Sequence, residues 1–228
     1  MLFDILKGGI TPQNLIFLAL YVVIILFSLS FHEVSHGYVA YRCGDSTARN
    51  LGRLTLNPLA HLDPIGTVMM LLFGFGYAKP VPINPRNFNH YKRDLAFVSL
   101  AGPASNLLLA FVGTLIFYLS LMLMPDGTFA LIWCMFWQYF TLANAGLCVF
   151  NLLPIPPLDG SRIVSVLLPG RISYYYLKYE RYIMIVMFLL LYRGVFSDLL
   201  SFLRNGLMTG VTAVVEFILT PLANILAH

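Results

Sequence analysis

The stretch Leu15-Ile-Phe-Leu-Ala-Leu-Tyr-Val-Val-Ile-Ile-Leu-Phe-Ser-Leu-Ser-Phe31 runs without a single charge into His32-Glu33-Val34-Ser35-His36. The apolar part is long enough to start a membrane span. An ionisable side chain at membrane depth costs about 2.5–3.5 kcal/mol on insertion scales, so three of them together mark a functional site. Residues four apart on a helix are separated by about 40° around its axis, which puts His32 and His36 on one face, where both can bind one metal. The H-E-x-x-H order then sets Glu33 beside that metal, in reach of a proton on metal-bound water. A lone buried histidine is more often a hydrogen-bonded core residue than a ligand. With only five His and three Glu in the chain, a chance match to this pattern is rare.

Outward from this stretch, composition agrees. The 228 residues are 59% hydrophobic and 11% charged, against about 25% charged in soluble domains, so the chain reads as an all-α polytopic membrane protein. The net charge of +4 does not indicate nucleic acid, because the basic residues cluster in loops as membrane topology requires. Cys43, Cys134 and Cys148 lack metal or redox spacing and read as small buried apolar side chains. The first apolar run reads as an uncleaved span from about Asn14 to Tyr41, since cleavage after it would part the metal motif from its anchor.

The apolar stretch Ile65–Phe75 is too short to cross a bilayer. The Gly76–Pro85 stretch behind it carries three prolines and suits extended backbone. A short re-entrant or extended element is therefore expected near residues 65–85, buried in protein or lining a watery cavity. Later spans are expected at Leu95–Met124, Thr128–Leu153, Tyr182–Leu203 and Leu207–Leu226, for five or six in all, with no separate soluble domain. Seven Lys/Arg fall between Arg42 and Arg93 and four between Arg162 and Arg181, while the Pro125-Asp-Gly127 turn has none. The positive-inside rule puts the first two regions in the cytoplasm, and the metal within the membrane near that face.

A catalytic zinc takes three protein ligands and keeps one position for water. His61, Asp63, His90 and Asp159 are candidates for the third. Asp159 is preferred because it follows a span directly in proline-rich backbone, and because one Zn²⁺ with Asp159 and Glu33 sums to zero charge. Asp159 also fits as a helix N-cap or the first half of an Asp-Gly turn.

His32-Glu-Val-Ser-His36, together with Asn151-Leu-Leu-Pro-Ile-Pro-Pro-Leu-Asp-Gly160, resembles the site-2 protease family of intramembrane zinc metalloproteases. Ala101-Gly-Pro-Ala-Ser-Asn106 is similar to that family's middle core helix. Asn57-Pro-Leu-Ala-His-Leu-Asp-Pro64 and the Gly76–Pro85 stretch look like its compact branch without PDZ or CBS modules. The resemblance covers residues 15–165. It implies one zinc per chain held by His32, His36 and Asp159, Glu33 as catalytic base, and Asn151 near the reacting carbonyl. One integral-membrane peptidase domain over residues 1–228 is expected, with a catalytic core at about 15–165 and further spans at about 180–226. The implied partners are the lipid bilayer and a membrane-protein substrate with a transmembrane helix, which must unwind before attack and could then pair with the 76–85 segment. Asn106 and His61 are candidates for lining the site, and interhelical or turn-stabilising bonds fit them as well. Homo-oligomerisation is left open. The rival readings are a zinc hydrolase of a non-peptide substrate, a membrane adaptor or chaperone with structural zinc, and a transporter. A structural zinc would want four ligands, and a transporter would show inverted repeats, of which there are none.

Overall fold

The computed structural model describes residues 11–73 and 78–226. Among these residues the regular structure is all helical, with no strand. The helices are α1 (Pro12–Arg42), α2 (Thr47–Asn50), α3 (Pro64–Phe73), α4 (Tyr91–Leu123), α5 (Thr128–Asn151), α6 (Asp159–Leu167), α7 (Gly170–Lys178), α8 (Glu180–Tyr192) and α9 (Ser197–Leu226), with 3-10 turns at Pro58–His61 and Pro85–Asn87. Among the described residues three segments, Asn14–Arg42, Tyr91–Leu123 and Ser197–Ile225, are long and apolar enough to cross a membrane. The chain divides into two compact units, Met1–Ala101 and Gly102–His228.

In the first unit, Thr11 caps α1 by accepting the Asn14 N–H at 3.2 Å, and Pro12 opens the first turn where its missing N–H costs nothing. The helix ends at Cys43-Gly44, where Gly44 takes φ +108°, a conformation glycine adopts without strain. The stretch expected to be re-entrant holds a ten-residue α3, and irregular backbone at 78–84. Residues 74–77 of the stretch expected at 65–85 lie outside the described residues. Both sides of the irregular segment are anchored. The Lys79 N–H donates to the His61 carbonyl at 2.8 Å, and Arg53 donates to the Lys79 carbonyl at 3.0 Å. Ala40, Phe88 and Val98 form the core beneath, with Ile83 and Leu95 against them.

Asp45 fastens this arrangement. It is fully buried, and its carboxylate accepts from the Thr47 N–H at 3.1 Å, the Asn84 N–H at 2.6 Å and the Asn87 side-chain amide at 2.8 Å. Burial pushes its pKa up, but these donors outweigh burial and hold it below the ordinary carboxylate value. A depressed native pKa contributes stability that is complete above the unfolded value of about 4 and is lost as pH falls through the native one. Asp45→Asn, which places an amide against donors, is expected to cost about 2 kcal/mol at neutral pH. Thermal unfolding of wild type and variant in detergent from pH 7 to pH 3 checks this: the gap in Tm should close at the acid end.

In the second unit, α4 and α5 are joined by fully buried asparagines, and α9 packs along α5. Gly113 lets α5 come close, since a Cβ there would lie 2.5 Å from Thr141 Oγ1. Leu153, Leu158 and Met187 form a core with Phe150, Ile155 and Phe188. The helix break expected between Leu203 and Leu207 is absent, because α9 runs unbroken through it. The chain breaks instead after Tyr192, where Gly194 takes φ +72°. Gly206 is accommodated inside the helix at modest cost, and the spans expected at Tyr182–Leu203 and Leu207–Leu226 are accordingly redrawn.

Candidate metal centre

Along α1 the residues Ser28, His32, His36 and Ala40 recur every fourth position, and all four are buried. The helix thus turns a partly polar stripe inward, the inverse of a soluble amphipathic helix. His32 and His36 meet on it with ring centroids 4.6 Å apart and their planes nearly perpendicular. Their Nε2 atoms lie 3.0 Å from each other. The His36 Nδ1–H donates to the Val98 carbonyl at 2.6 Å, which fixes the tautomer and leaves Nε2 as a lone-pair donor. Two imidazole nitrogens on a tetrahedral zinc stand about 3.3 Å apart, so the pair needs little adjustment to share one ion.

Glu33 is half-buried on the adjoining face, and its Oε2 accepts the Val81 N–H at 2.8 Å. That bond ties the carboxylate to the proline-flanked segment Pro80-Val81-Pro82. Gly37 keeps the helix close to the same segment, since a Cβ there would lie 2.8 Å from Val81 Cγ1 and 2.6 Å from Leu54 Cδ2. His61, buried, closes the 3-10 turn by donating from Nε2 to the Thr55 carbonyl at 2.7 Å. It lines a cavity of about 10 Å³ with Leu26, Leu29 and Ser30.

The remaining candidates belong to the second unit. Asp159 is the first residue of α6 and is half-buried. Tight backbone bonds shape the turn before it, from Ile155 N–H to Leu153 O at 2.8 Å and from Leu158 N–H to Ile155 O at 2.9 Å. Gly160 lies so close to the end of α5 that a Cβ would sit 2.2 Å from the Leu152 carbonyl oxygen, so no larger residue can follow Asp159 there. Asn151, the last residue of α5, donates one amide hydrogen to Leu147 O at 3.0 Å. Asn106 donates to Asn144 Oδ1 at 2.9 Å, and Asn144 donates in turn to Phe140 O, an interhelical bond of the kind its position suggested. Of the other loop candidates, Asp63 caps α3 by accepting the Gly66 N–H at 2.9 Å, and the His90 N–H caps α4 by donating to Asp94 at 2.7 Å. The three cysteines are free thiols; Cys148 is buried as expected, whereas Cys43 and Cys134 are only partly buried.

The family model described as Peptidase family M50 matches residues 20–193. This chain belongs to peptidase family M50. The site-2 protease resemblance read from the two motifs is to this same family. The peptidase is 39% identical over 206 residues to the "Putative zinc metalloprotease YwhC" of Bacillus subtilis, covering 88% of this chain and 93% of that one. It is 32% identical over 158 residues to the "Putative zinc metalloprotease Rip2" of Mycolicibacterium smegmatis, covering 66% of this chain and 59% of the relative. A third relative, "Putative zinc metalloprotease MJ0611" of Methanocaldococcus jannaschii, is 30% identical over 136 residues, 59% of this chain and 63% of that one. No solved structure was found to match. Family membership makes the chain a zinc metalloendopeptidase, and it decides against the adaptor, transporter and non-peptide readings.

Val98 and Val81 are the site partners that sequence reading missed. Both act through backbone atoms that every residue carries, so residue type gave no signal for Val98. For Val81 the signal was indirect: prolines on either side leave it the one N–H donor of the Pro80–Pro82 tripeptide.

Proposed function

We propose that this M50 peptidase cleaves transmembrane segments of membrane proteins from within the bilayer. It would be a multi-pass protein of the cell membrane with five or six spans forming one peptidase domain. Its Arg/Lys-rich loops would face the cytoplasm, and the site would lie near that face. The observation that carries this reading is the converging His32–His36 pair in an apolar helix, with Glu33 held beside it by the Val81 N–H. His32, His36 and Asp159 would hold the zinc. When bound, the ion acidifies water and polarises the scissile carbonyl.

Glu33 takes one proton from the attacking water and passes it to the leaving amine, so that water and a peptide bond yield a carboxylate and an amine. Asn151 keeps a second amide hydrogen to offer the developing oxyanion. Asn106 and His61 would line or support the site. A substrate helix hides its carbonyls in hydrogen bonds and must unwind first, and the 78–84 segment would receive it as an extended strand. Replacing residues 78–84 by a Gly/Ser linker of equal length should lower cleavage at least ten-fold, and unchanged cleavage of a transmembrane substrate would refute the strand-pairing step. The function as a whole is tested by membrane proteomics of cells carrying wild type or Glu33→Gln. A full-length membrane protein should accumulate in the variant, with its wild-type cleavage point inside an apolar segment. A cleavage point in a soluble region would overturn the proposal.

A further inference from the structure

The Asp159-bearing segment of the second unit rests on a basic, tyrosine-rich helix that the peptidase chemistry leaves unused. In α7 and the start of α8, Tyr174, Tyr175, Tyr179 and Tyr182 are all exposed, at 61, 54, 47 and 66%. The Lys178 ammonium lies 5.8 Å from the Tyr174 ring centre and 6.0 Å from that of Tyr179. Between Leu158 and Ser197 the sequence holds one acidic residue besides Asp159, namely Glu180, which is salt-bridged to Arg162 at 3.1 Å. Among the described residues neither Lys178 nor Arg181 is in a salt bridge, Glu180 being taken by Arg162. Both line an open groove of about 510 Å³ with Leu177, Glu180, Tyr182 and Met184, and the Glu180 carboxylate there is held by Arg162 at 3.1 Å.

Two cations on the groove, with Tyr182 beside them, the exposed Tyr174, Tyr175 and Tyr179 on the same stretch and the apolar Leu177 and Met184 in the lining, match an anionic phospholipid. Phosphate would meet the cations, the tyrosines would sit at headgroup level, and the first acyl carbons would meet Leu177 and Met184. We infer that this groove binds the headgroup of an anionic phospholipid of the cytoplasmic leaflet. The inference rests on the proposed topology, which places residues 162–181 at that surface. The groove is also coupled to the proposed third zinc ligand. Tyr176 Oη donates to the Pro154 carbonyl at 2.7 Å, and Arg162, held by Glu180, lies one helical turn after Asp159. A headgroup drawing Lys178 and Arg181 together steadies the turn from which Asp159 projects.

The test uses full-length protein in detergent, with phosphatidylglycerol or phosphatidylcholine added and retained lipid read by native mass spectrometry. Wild type should retain one phosphatidylglycerol in preference to phosphatidylcholine. Lys178→Gln with Arg181→Gln should bind it about 30-fold more weakly, two surface charges being lost. The charge-preserving pair Lys178→Arg with Arg181→Lys should restore binding, which separates lost charge from lost folding. Equal retention of both lipids, or undiminished retention by the Gln pair, would overturn the inference. Competition by millimolar inorganic phosphate as strong as that by the lipid would also overturn it, in favour of a free-phosphate site. The readout needs neither cleavage nor a membrane orientation, so failure of the lipid site and failure of the proposed function show separately.

Discussion

Glu33→Gln is expected to retain zinc and to lose about 10³-fold or more in the rate of cleavage. A positioned proton carrier contributes about 10²–10⁴-fold, and Glu33 would serve twice, at the water and at the leaving amine. Glutamine keeps the shape and an oxygen that can still accept the Val81 N–H, now 2.8 Å from the carboxylate. The helix and the paired imidazoles should therefore stay as they are. Removing the charge takes away only the ability to bind a proton. Single-turnover cleavage of a transmembrane substrate, alongside zinc measured by plasma mass spectrometry, checks both halves. Wild-type turnover in the variant would end Glu33's assignment as base, and loss of zinc would mean that the residue holds the metal.

Asp159→Ala should do the opposite and empty the site. Loss of a partner behind a ligand costs about 10–100-fold in metal affinity, and loss of a ligand should exceed that. With Asp159 gone the ion would also lack the negative charge that brings the site to neutrality, and an uncompensated charge in low dielectric is unfavourable. Dialysis against a weak chelator should leave wild type near one zinc per chain and the variant near none. As a first-turn acidic residue Asp159 also favours α6 by about 1 kcal/mol, and the Tm of the metal-free variant beside that of metal-free wild type separates this contribution from the loss of zinc. Full zinc retention by the variant would return the third position to the other loop candidates.

The parts of this molecule legible in its sequence are those in which one helix carries the whole message. The bounds of α1, read as 14–41 and found at Pro12–Arg42, follow from an apolar run between a Thr-Pro start and a Cys-Gly end. The meeting of His32 and His36 follows from their spacing alone. What stayed hidden depends on segments distant in sequence. The carbonyl that orients His36 belongs to Val98, 62 residues away. Asp45 reads as an ordinary loop acid until Asn84 and Asn87 are brought to it. The two glycines near the C-terminal helices show the same limit: Gly194 breaks the chain inside an expected span, and Gly206, at the expected break, does not. Tertiary packing chose between them.

The backbone opposite Glu33 is already spoken for on one side. Lys79 gives its N–H to His61 O, Val81 to Glu33 and Asn84 to Asp45, while Pro80 and Pro82 have none. Arg53 already donates to the Lys79 and Pro80 carbonyls, so in the proposed pairing the segment would meet an incoming chain mainly with the carbonyls of residues 81–83 and with few donors. It is an edge that can accept but scarcely give. A folded helix has its interior N–H groups engaged and cannot satisfy such an edge, whereas a chain that has come unwound offers them freely. Within the register it occupies, a proline in the substrate would leave one of these carbonyls unanswered.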